Sequence, residues 1–302
     1  MSIKSKVLRF CFSLLVKFSP KLASEVIYYK TFKKKLDLKN PKTINEKLMW
    51  LKLNEDDSLK AKCADKYLVR EYINEKGFSK ILNDLIKVYD NVEELDFNQL
   101  PNQFVIKCTH GSGFNIICTD KKNLDLNRTK AQLKKWMKTN YSLISCEPHY
   151  ARHKPKIVVE RYLERDHKVN SPMDIQFHCF HGEPRLIEVI LNNCNQEEDY
   201  ILYNLDWENL PYNDASLNLK TTIDKPSKLD EMIEITKVLS QEFTYVRVDL
   251  YFSFDKIYFG ELTFTPDACL ATYYINNADY KVGRLLELPS ISKKQSLKST
   301  VH

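Results

Sequence analysis

The 302-residue sequence is poor in glycine, with only six residues of this type. An average soluble protein contains about 7% glycine, so a chain of this length would be expected to have about 21. Because glycine is so scarce, each glycine is expected at a position where a side chain would not fit. Two of the six, Gly111 and Gly113, lie two positions apart. This pair therefore marks a candidate site at which a ligand approaches the main chain closely.

The sequence also lacks long apolar runs and cysteine motifs. No apolar run approaches the roughly 20 residues that cross a bilayer as a helix, so a membrane-spanning protein is not expected. The eight cysteines form no CxxC pair and no regular framework, which predicts reduced thiols in a cytoplasmic protein. An apolar content of 43% is sufficient for a sizeable core and excludes a disordered or collagen-like chain.

Positive charge is scarce outside the first part of the chain. Residues 1–42 hold 11 Lys and Arg against Glu25 and Asp37, a balance of +9, whereas the whole chain carries +6. The other 260 residues therefore sum to −3. A nucleic-acid-binding protein would carry a basic face through its folded body, so no nucleic-acid partner is expected.

The first segment predicts a basic amphipathic helix. At 100° per residue, Lys6, Arg9, Ser13 and Lys17 fall within about 80° of one another. The rest of the helix is then mostly apolar, with Leu8, Cys11, Phe12, Leu14, Leu15 and Phe18. Such a helix can lie on an anionic membrane, with support from the basic cluster Lys33–Lys35, or it can dock on its own domain. A signal peptide is not indicated, because the basic residues leave too short an apolar core and no cleavage site follows.

The periodicity of the remaining chain changes from helical to strand-like and indicates an α+β fold. Helices come first, then strands with a helix, then antiparallel hairpins, unlike the alternating order of a doubly wound sheet. Helices are predicted over residues 46–53, 58–75, 128–140 and 228–242. Strands are predicted over 104–109, 115–119, 156–163, 174–180, 185–190, 246–252 and 256–264.

A predicted strand that ends near Lys107 runs into the glycine pair of the segment Lys107-Cys-Thr-His-Gly-Ser-Gly113. Two glycines allow backbone N–H groups to approach a polyphosphate closely, and a lysine adds a positive charge. The segment is neither a Walker loop nor a Rossmann fingerprint. An ordinary tight turn is the alternative interpretation.

Paired carboxylates are predicted on two neighbouring strands. Strand alternation places Arg247 and Asp249 on one face, and Glu261 and Thr263 on one face of the next strand. Asp249 and Glu261 lie 12 residues apart across a plausible hairpin and would repel each other unless a cation lay between them. Mg²⁺ is commonly held by one or two carboxylates and substrate phosphates. A solvated strand face is the alternative, as it is for the carboxylate of Glu160 at another strand end.

Taken in order, six segments resemble the ATP-grasp superfamily, and within it the TupA-like branch associated with bacterial surface-polysaccharide and teichuronopeptide biosynthesis. The resemblance runs from about residue 45 to residue 266. The six segments are residues 63–70, 104–113, 159–163, 174–177, 246–251 and 259–266.

The resemblance implies roles for individual residues. Lys66 and Lys107 match phosphate-contacting lysines, residues 110–113 a flexible flap over the phosphates, and residues 160–163 a hinge that holds adenine. The implied nucleotide-binding residues are Lys66, Lys107, His110, Gly111, Ser112, Gly113, Glu160, Tyr162, Leu163 and Asp174. The implied metal ligands are Asp249, Glu261 and Thr263, and the implied catalytic residues are Arg247 and Lys107.

Three positions depart from the family pattern. Thr263 stands where many relatives have an asparagine ligand, and Gln176 where a lysine is expected. After Pro266, residues 267–269 replace glycines. These changes affect one metal contact, one phosphate or ribose contact, and one loop.

The implied organisation is an ATP-grasp fold of two α+β subdomains that grip ATP, with a helical N-terminal extension. The expected divisions are a basic amphipathic segment, a mostly helical region, an N-terminal subdomain with the flap, a C-terminal subdomain with the metal site, and a disordered polar tail. Their expected bounds are 1–42, 43–100, 101–165, 166–285 and 286–302.

The implied function is that of an ATP- and Mg²⁺-dependent carboxylate–amine ligase that acts through an acyl phosphate. Its expected substrates are a uronic-acid carboxylate on a glycan or lipid-linked sugar and an amine from an amino acid or amino sugar. A kinase for a sugar hydroxyl, a glycosyltransferase and an inactive binding module remain alternatives, although the DxD motif typical of glycosyltransferases is absent from the sequence. Residues 1–42 would give peripheral contact with the inner membrane face.

Overall fold

The computed structural model describes residues 3–164, 173–192, 198–218 and 223–289. The α-helices within these ranges are α1 Ile3–Phe18, α2 Pro20–Phe32, α3 Ile44–Asn54, α4 Ser58–Ala64, α5 Val69–Glu75, α6 Leu126–Met137, α7 Tyr141–Ser145, α8 Asp214–Leu217, α9 Leu229–Ser240 and α10 Ala278–Gly283. The strands are β1 Leu85–Tyr89, β2 Phe104–Cys108, β3 Asn115–Cys118, β4 Ile157–Arg161, β5 Met173–Phe180, β6 Glu183–Asn192, β7 Glu198–Tyr203, β8 Tyr245–Ser253 and β9 Lys256–Thr263.

A four-stranded antiparallel sheet has the order β1-β4-β2-β3. Alternate residues of β2, Phe104, Ile106 and Cys108, are buried in an apolar cluster with Leu133 of α6. Because successive side chains of a strand point to opposite faces, Lys107 lies on the other face of the sheet. That face carries the functional side chains of this half of the molecule.

A five-stranded antiparallel sheet has the order β7-β6-β5-β8-β9. One face is apolar and packs against α9 and the side chains of α5, with Ile175, Phe177, Val248 and Leu250 fully buried. The opposite face carries a polar band formed by Asp174, Gln176, His178, Arg247 and Asp249. The same period of two that builds the core therefore builds the site.

One predicted helix, over residues 58–75, is wrong in its middle. The structure has two helices, because Asp65 leaves the helical conformation and its carboxylate accepts hydrogen bonds from the N–H groups of Tyr67 and Leu68, at 2.8 and 2.9 Å. Such local bonds compete with the helix ladder. The break brings the backbone of Lys66 against the carbonyl of Thr109, at 3.4 Å.

The other predicted helices and strands are confirmed, with ends shifted by up to three residues. The elements α2, α7, α8, α10, β1 and β7 were not predicted. The proposed boundary at residue 165, Cys194 and most of the proposed tail lie outside the described residues. The seven cysteines within them are free.

The first two helices pack on the body of the protein. Val16 of α1 and Ala23 of α2 form a small buried cluster with Cys146, which follows α7. Among the described residues, no helix is long and apolar enough to cross a membrane. The expectation that the N-terminal helix docks on its own domain is therefore confirmed for one face of α1.

Gly283, the last residue of α10, lies against the start of α3, and its substitution tests the contact between these two helices. A Cβ atom at this position would lie 2.3 Å from the carbonyl oxygen of Lys42 and 2.9 Å from the nitrogen of Ile44. Because backbone must shift, we expect Gly283→Ala to lower the free energy of unfolding by about 3 kcal/mol, measured by urea denaturation.

Gly77→Ala is the matched control. Gly77 has a φ of +86° and no atom within 4 Å of an added Cβ, so only the backbone conformation is penalised. This costs about 1 kcal/mol. Equal destabilisation by the two substitutions would contradict the tight contact between α10 and α3.

Candidate functional site

A polar cavity of 360 Å³ lies between the two sheets. The four-stranded sheet and its hairpin supply Lys107, Glu160 and the turn at residues 112–113. Lys66 and Arg70 come from the turn before α5 and from α5 itself, and the five-stranded sheet supplies mainly acidic side chains. The lining includes Lys66, Arg70, Lys107, Ser112, Gly113, Glu160, Asp174, Gln176, Arg247, Asp249, Tyr251 and Glu261. Most of the side chains predicted to bind phosphate and metal are therefore brought together.

Glu160 organises the cations on one wall of the cavity. Its buried carboxylate accepts a hydrogen bond from the ammonium of Lys107 at 2.7 Å and one from the guanidinium of Arg70 at 3.3 Å. Arg70 also donates to the carbonyl of Asn83 at 2.8 Å. Sequence reasoning gave Arg70 no role, although it closes the segment 63–70 that carries part of the family resemblance.

The hairpin between β2 and β3 is fixed by its two glycines. Gly113 has a φ of +70°, which favours glycine, and a Cβ at Gly111 would lie 2.8 Å from the ring of Tyr141. The carbonyl of Gly111 accepts a hydrogen bond from the ammonium of Lys66 at 2.9 Å. The predicted flap is therefore a turn that is packed at Gly111, exposed at Ser112 and Gly113, and held by a hydrogen bond from Lys66, the predicted phosphate-binding lysine.

The side chain of His110 does not line this cavity. It is buried beside α6, and its Nε2 lies 3.1 and 3.2 Å from the carbonyl oxygens of Trp136 and Thr139. Burial lowers the pKa of the imidazole, so the neutral ring donates its Nε2–H to these carbonyls. His110 anchors the hairpin, and only its backbone is left for the phosphate contact that the sequence suggested.

Asp249 and Glu261 are directly paired across β8 and β9, as the sequence predicted. Gly260 forms a β-bulge beside them, since Leu250 pairs with Phe259 and leaves one extra residue in β9. A Cβ at Gly260 would lie 2.8 Å from the carbonyl oxygen of Asp249. The bulge therefore needs glycine and sets the position of the Glu261 carboxylate.

The paired carboxylates are held by three neighbouring side chains. Arg247 donates two hydrogen bonds to Asp249, both at 2.8 Å. The hydroxyl of Thr263 lies 3.1 Å from a carboxylate oxygen of Glu261 and 3.4 Å from one of Asp249. The ammonium of Lys66 lies 3.6 Å from Glu261. Each carboxylate thus has a cation beside it.

The five-stranded sheet nevertheless brings three carboxylates to one side of the cavity, those of Asp174, Asp249 and Glu261. Burial raises the pKa of Asp249 to about 6, although Arg247 acts to lower it. Burial, together with the charge of Asp249, raises the pKa of Asp174 well above its usual value. Burial also acts to raise the pKa of Glu261, but Lys66 and Arg247 outweigh it and leave the pKa below its usual value. An added cation would therefore be favoured here.

The residues of the site fit a hard cation. Oδ1 of Asp174 and Oε1 of Gln176 are buried without a hydrogen-bond partner, and both residues line the cavity that contains Asp249 and Glu261. Oxygen atoms are the donors that Mg²⁺ prefers. Within the described ranges no three acidic, histidine or cysteine side chains already form a metal cluster, so a bound ion would need oxygens from a ligand or from amide and hydroxyl groups.

A second cavity, of 640 Å³ and mostly apolar, lies at the end of β4. Its walls include residues 161–164, Ile86 and Tyr258. Tyr162 and Leu163, which the sequence assigned to the nucleotide base, are placed here, whereas Glu160 lines the polar cavity. The end of β4 therefore borders both spaces.

Two α+β units whose antiparallel sheets close on a cavity with lysines on one side and paired carboxylates on the other define an ATP-grasp protein. Residues 46–287 match the family described as TupA-like ATPgrasp. The chain belongs to this family. The fold and the family expected from the sequence are both confirmed, including the helices that precede the family region.

Several solved structures are similar to the chain. D-alanine–D-alanine ligase from Bacillus anthracis, complexed with ATP, is 17% identical with a TM-score of 0.42, covering 67% of this chain and 54% of the ligase. The Helicobacter pylori enzyme is 15% identical with a TM-score of 0.40, covering 75% of this chain and 61% of the ligase. Phosphoribosylamine–glycine ligase from Thermotoga maritima is 11% identical with a TM-score of 0.41, covering 67% of this chain and 48% of the ligase. The chain thus spans about half to three fifths of the length of these proteins. No curated protein matches it significantly.

The β-bulge at Gly260 provides a test of the carboxylate site. A methyl group there would press on the backbone of Asp249 and separate the two carboxylates, while the apolar cluster that contains Val248 and Leu250 lies on the other face of the sheet. We expect Gly260→Ala to weaken Mg²⁺ binding by about tenfold or more, measured by titration calorimetry with the nonhydrolysable nucleotide AMP-PNP present.

Gly182→Ala is the control for a general loss of stability, because Gly182 also lies close to neighbouring backbone but is far from the carboxylates. Its added Cβ would lie 3.1 Å from the Cα of Gln241. This variant is expected to lose stability but to keep its Mg²⁺ affinity. Unchanged affinity in Gly260→Ala would show that the bulge does not set the carboxylate geometry.

Proposed function

We propose that this protein is an ATP- and Mg²⁺-dependent carboxylate–amine ligase. The observation that carries the proposal is the pairing of cations and carboxylates within one cavity: Lys107 with Glu160, Lys66 with Glu261, and Arg247 with Asp249. These are the groups that a magnesium–nucleotide complex would engage, the phosphates through the cations and the metal through the carboxylates. Membership of the ATP-grasp family supports the same assignment.

The nucleotide would extend across both cavities. Its triphosphate would lie in the polar cavity against Lys66, Lys107 and the hairpin of residues 110–113, of which Ser112 and Gly113 line the cavity and would offer backbone N–H groups to an anion. Its base would enter the apolar cavity beside Tyr162 and Leu163. Glu160, between the two spaces, holds Lys107 in place and lies near the sugar in this arrangement.

The metal would be held by Asp249 and Glu261, with Thr263, Asp174 and Gln176 close by. When bound, Mg²⁺ offsets the charge on the transferred phosphate oxygens. Gln176, in place of the expected lysine, leaves an unpartnered oxygen and no added positive charge beside Asp249. Glutamine at position 176, in place of lysine, therefore favours metal binding over phosphate binding.

The chemistry follows from the charges that the chain supplies. A carboxylate is a poor electrophile, so its phosphorylation to an acyl phosphate precedes attack by the amine. Lys107 and Lys66 offset the charge of the transferred group, and Arg247 stabilises the oxyanion that forms on attack. Neighbouring Asp249 and Glu188 raise the pKa of Arg247 despite burial, which keeps its guanidinium charged. The reaction requires no enzyme nucleophile.

The substrate class that we propose is the one implied by the resemblance to the TupA-like branch. A uronic-acid carboxylate on a glycan or lipid-linked sugar would be joined to the amine of an amino acid or amino sugar, in bacterial surface-polysaccharide biosynthesis. The support for this is the TupA-like family match over residues 46–287.

Nucleotide binding is the first test. We expect Mg²⁺ with ATP at millimolar concentration to raise the melting temperature by several degrees, since a ligand at 100 times its Kd adds about 2.7 kcal/mol of stability. Lys107→Met should abolish most of this shift. Lys87→Met, which removes a lysine bonded to Gln99 on the same sheet, should leave it unchanged. No shift with wild-type protein would contradict the proposed function.

The acyl phosphate is the second test. With ATP, a uronic acid such as glucuronic or galacturonic acid, and hydroxylamine in place of the amine, we expect a hydroxamate together with one free phosphate per ADP. A kinase would instead retain the phosphate on a sugar hydroxyl and form no hydroxamate. A phosphorylated sugar that persists as the product would replace the ligase proposal with a kinase.

A further inference from the structure

Exposed apolar side chains are concentrated on the first two helices. Of the 15 large apolar side chains that are exposed among the described residues, eight lie between residues 7 and 29. They include Phe10, which is 65% exposed, and Phe18, which is 80% exposed. Scattered exposed apolar residues are normal, whereas a concentration of this kind marks an interaction surface.

Seven of these side chains form one stripe on each helix, and we call the two stripes together the outer apolar face. The stripe on α1 contains Val7, Phe10, Leu14 and Phe18, and the stripe on α2 contains Leu22, Val26 and Tyr29. Spacings of three and four residues place each stripe along one side of its helix. The stripe on α1 lies opposite Val16, which is buried in the cluster with Ala23 and Cys146.

The structure thus divides the apolar residues that the sequence placed around the rest of α1 between an inner and an outer side of the helix. Phe12 and Leu15 pack inward against the cluster, whereas Leu14 and Phe18 point outward. Docking on the body accounts for only the inner residues. The outer apolar face has no partner among the described residues and calls for a separate explanation.

The charges around this face are almost entirely positive. The exposed basic side chains of the two helices and of the segment that follows are Arg9, Lys17, Lys21, Lys30, Lys33, Lys34 and Lys35. Residues 1–42 as a whole carry +9, with Glu25 and Asp37 as the acidic residues. An anionic surface would be complementary to this segment.

We propose that the outer apolar face docks on an anionic lipid bilayer, with α1 and α2 lying in the plane of the interface. No described helix is long and apolar enough to cross a membrane, which leaves the interfacial mode. In that mode apolar side chains enter the boundary of the acyl chains and lysines remain among the headgroups, where anionic lipids attract them.

Two other occupants fit the surface less well. Protein interfaces are depleted in lysine, whereas this face is bordered by six exposed lysines. A second copy of the chain would bring one segment of charge +9 against another, which is repulsive. A bilayer satisfies both the apolar stripes and the lysines. The proposal concerns a surface away from the nucleotide cavity and does not depend on the ligase assignment.

Sedimentation of the full-length protein with lipid vesicles tests the proposal. We expect binding to vesicles of phosphatidylcholine with phosphatidylglycerol, little binding to pure phosphatidylcholine, and weaker binding at high salt. The double variant Phe10→Ser/Phe18→Ser should lower the partition coefficient by about tenfold or more. Lys33→Ser/Lys34→Ser/Lys35→Ser should reduce binding to anionic vesicles only.

Leu126→Ser/Leu217→Ser is the matched control, because these residues are 42% and 56% exposed on other helices. It should bind vesicles like the wild type. Every variant should keep its melting temperature and its response to Mg²⁺ with ATP, which separates this test from that of the proposed function. Because Phe10 and Phe18 are exposed, their serine variants are expected to fold.

Three results would overturn the proposal. The first is the absence of binding to anionic vesicles by the full-length protein. The second is equal binding by the Phe10/Phe18 variant and the wild type. The third is a wild-type dimer, detected by light scattering, that the same substitutions convert to a monomer without any effect on vesicle binding. That last outcome would assign the face to a protein interface.

Discussion

The close approach of two carboxylates, the buried Asp249 and the partly exposed Glu261, is the constraint on which the rest of the site depends. Neighbouring strands place them side by side, and two adjacent negative charges are unfavourable without compensation. Arg247 and Lys66 supply that compensation, and the bulge at Gly260 provides the space. The five-stranded sheet can carry this arrangement because the apolar cluster that contains Val248 and Leu250 packs on the opposite face.

Lys66 connects this arrangement to the other half of the molecule. Its ammonium lies between the carbonyl of Gly111, on the hairpin of the four-stranded sheet, and the carboxylate of Glu261, on the five-stranded sheet. It occupies that position because Asp65 interrupts the helix and exposes the next residue to the cavity. A local hydrogen-bond preference of one aspartate thus determines how the two sheets meet across the site.

The sequence predicted those parts of the fold and site that depend on local periodicity. Strand alternation placed Arg247 and Asp249 on one face, and the length of the hairpin placed Glu261 opposite, as observed. The sequence missed what depends on distant contacts: β1 pairs with β4, some 70 residues away, and the direction of His110 is set by the end of α6. The break between α4 and α5 was not predicted, because the apolar residues keep a helical spacing throughout residues 58–75 while the backbone hydrogen bonds of the helix stop at Asp65.

The inner and outer apolar positions of α1 differ in what they contribute to the folded protein. Inner positions such as Val16 contribute to the folded core, so their substitution changes stability. Outer positions such as Phe18 are mostly exposed in the folded protein and contribute little to its free energy of unfolding. One helix therefore carries two sets of positions under different selective constraints, and natural variation in the outer set can proceed without loss of the fold.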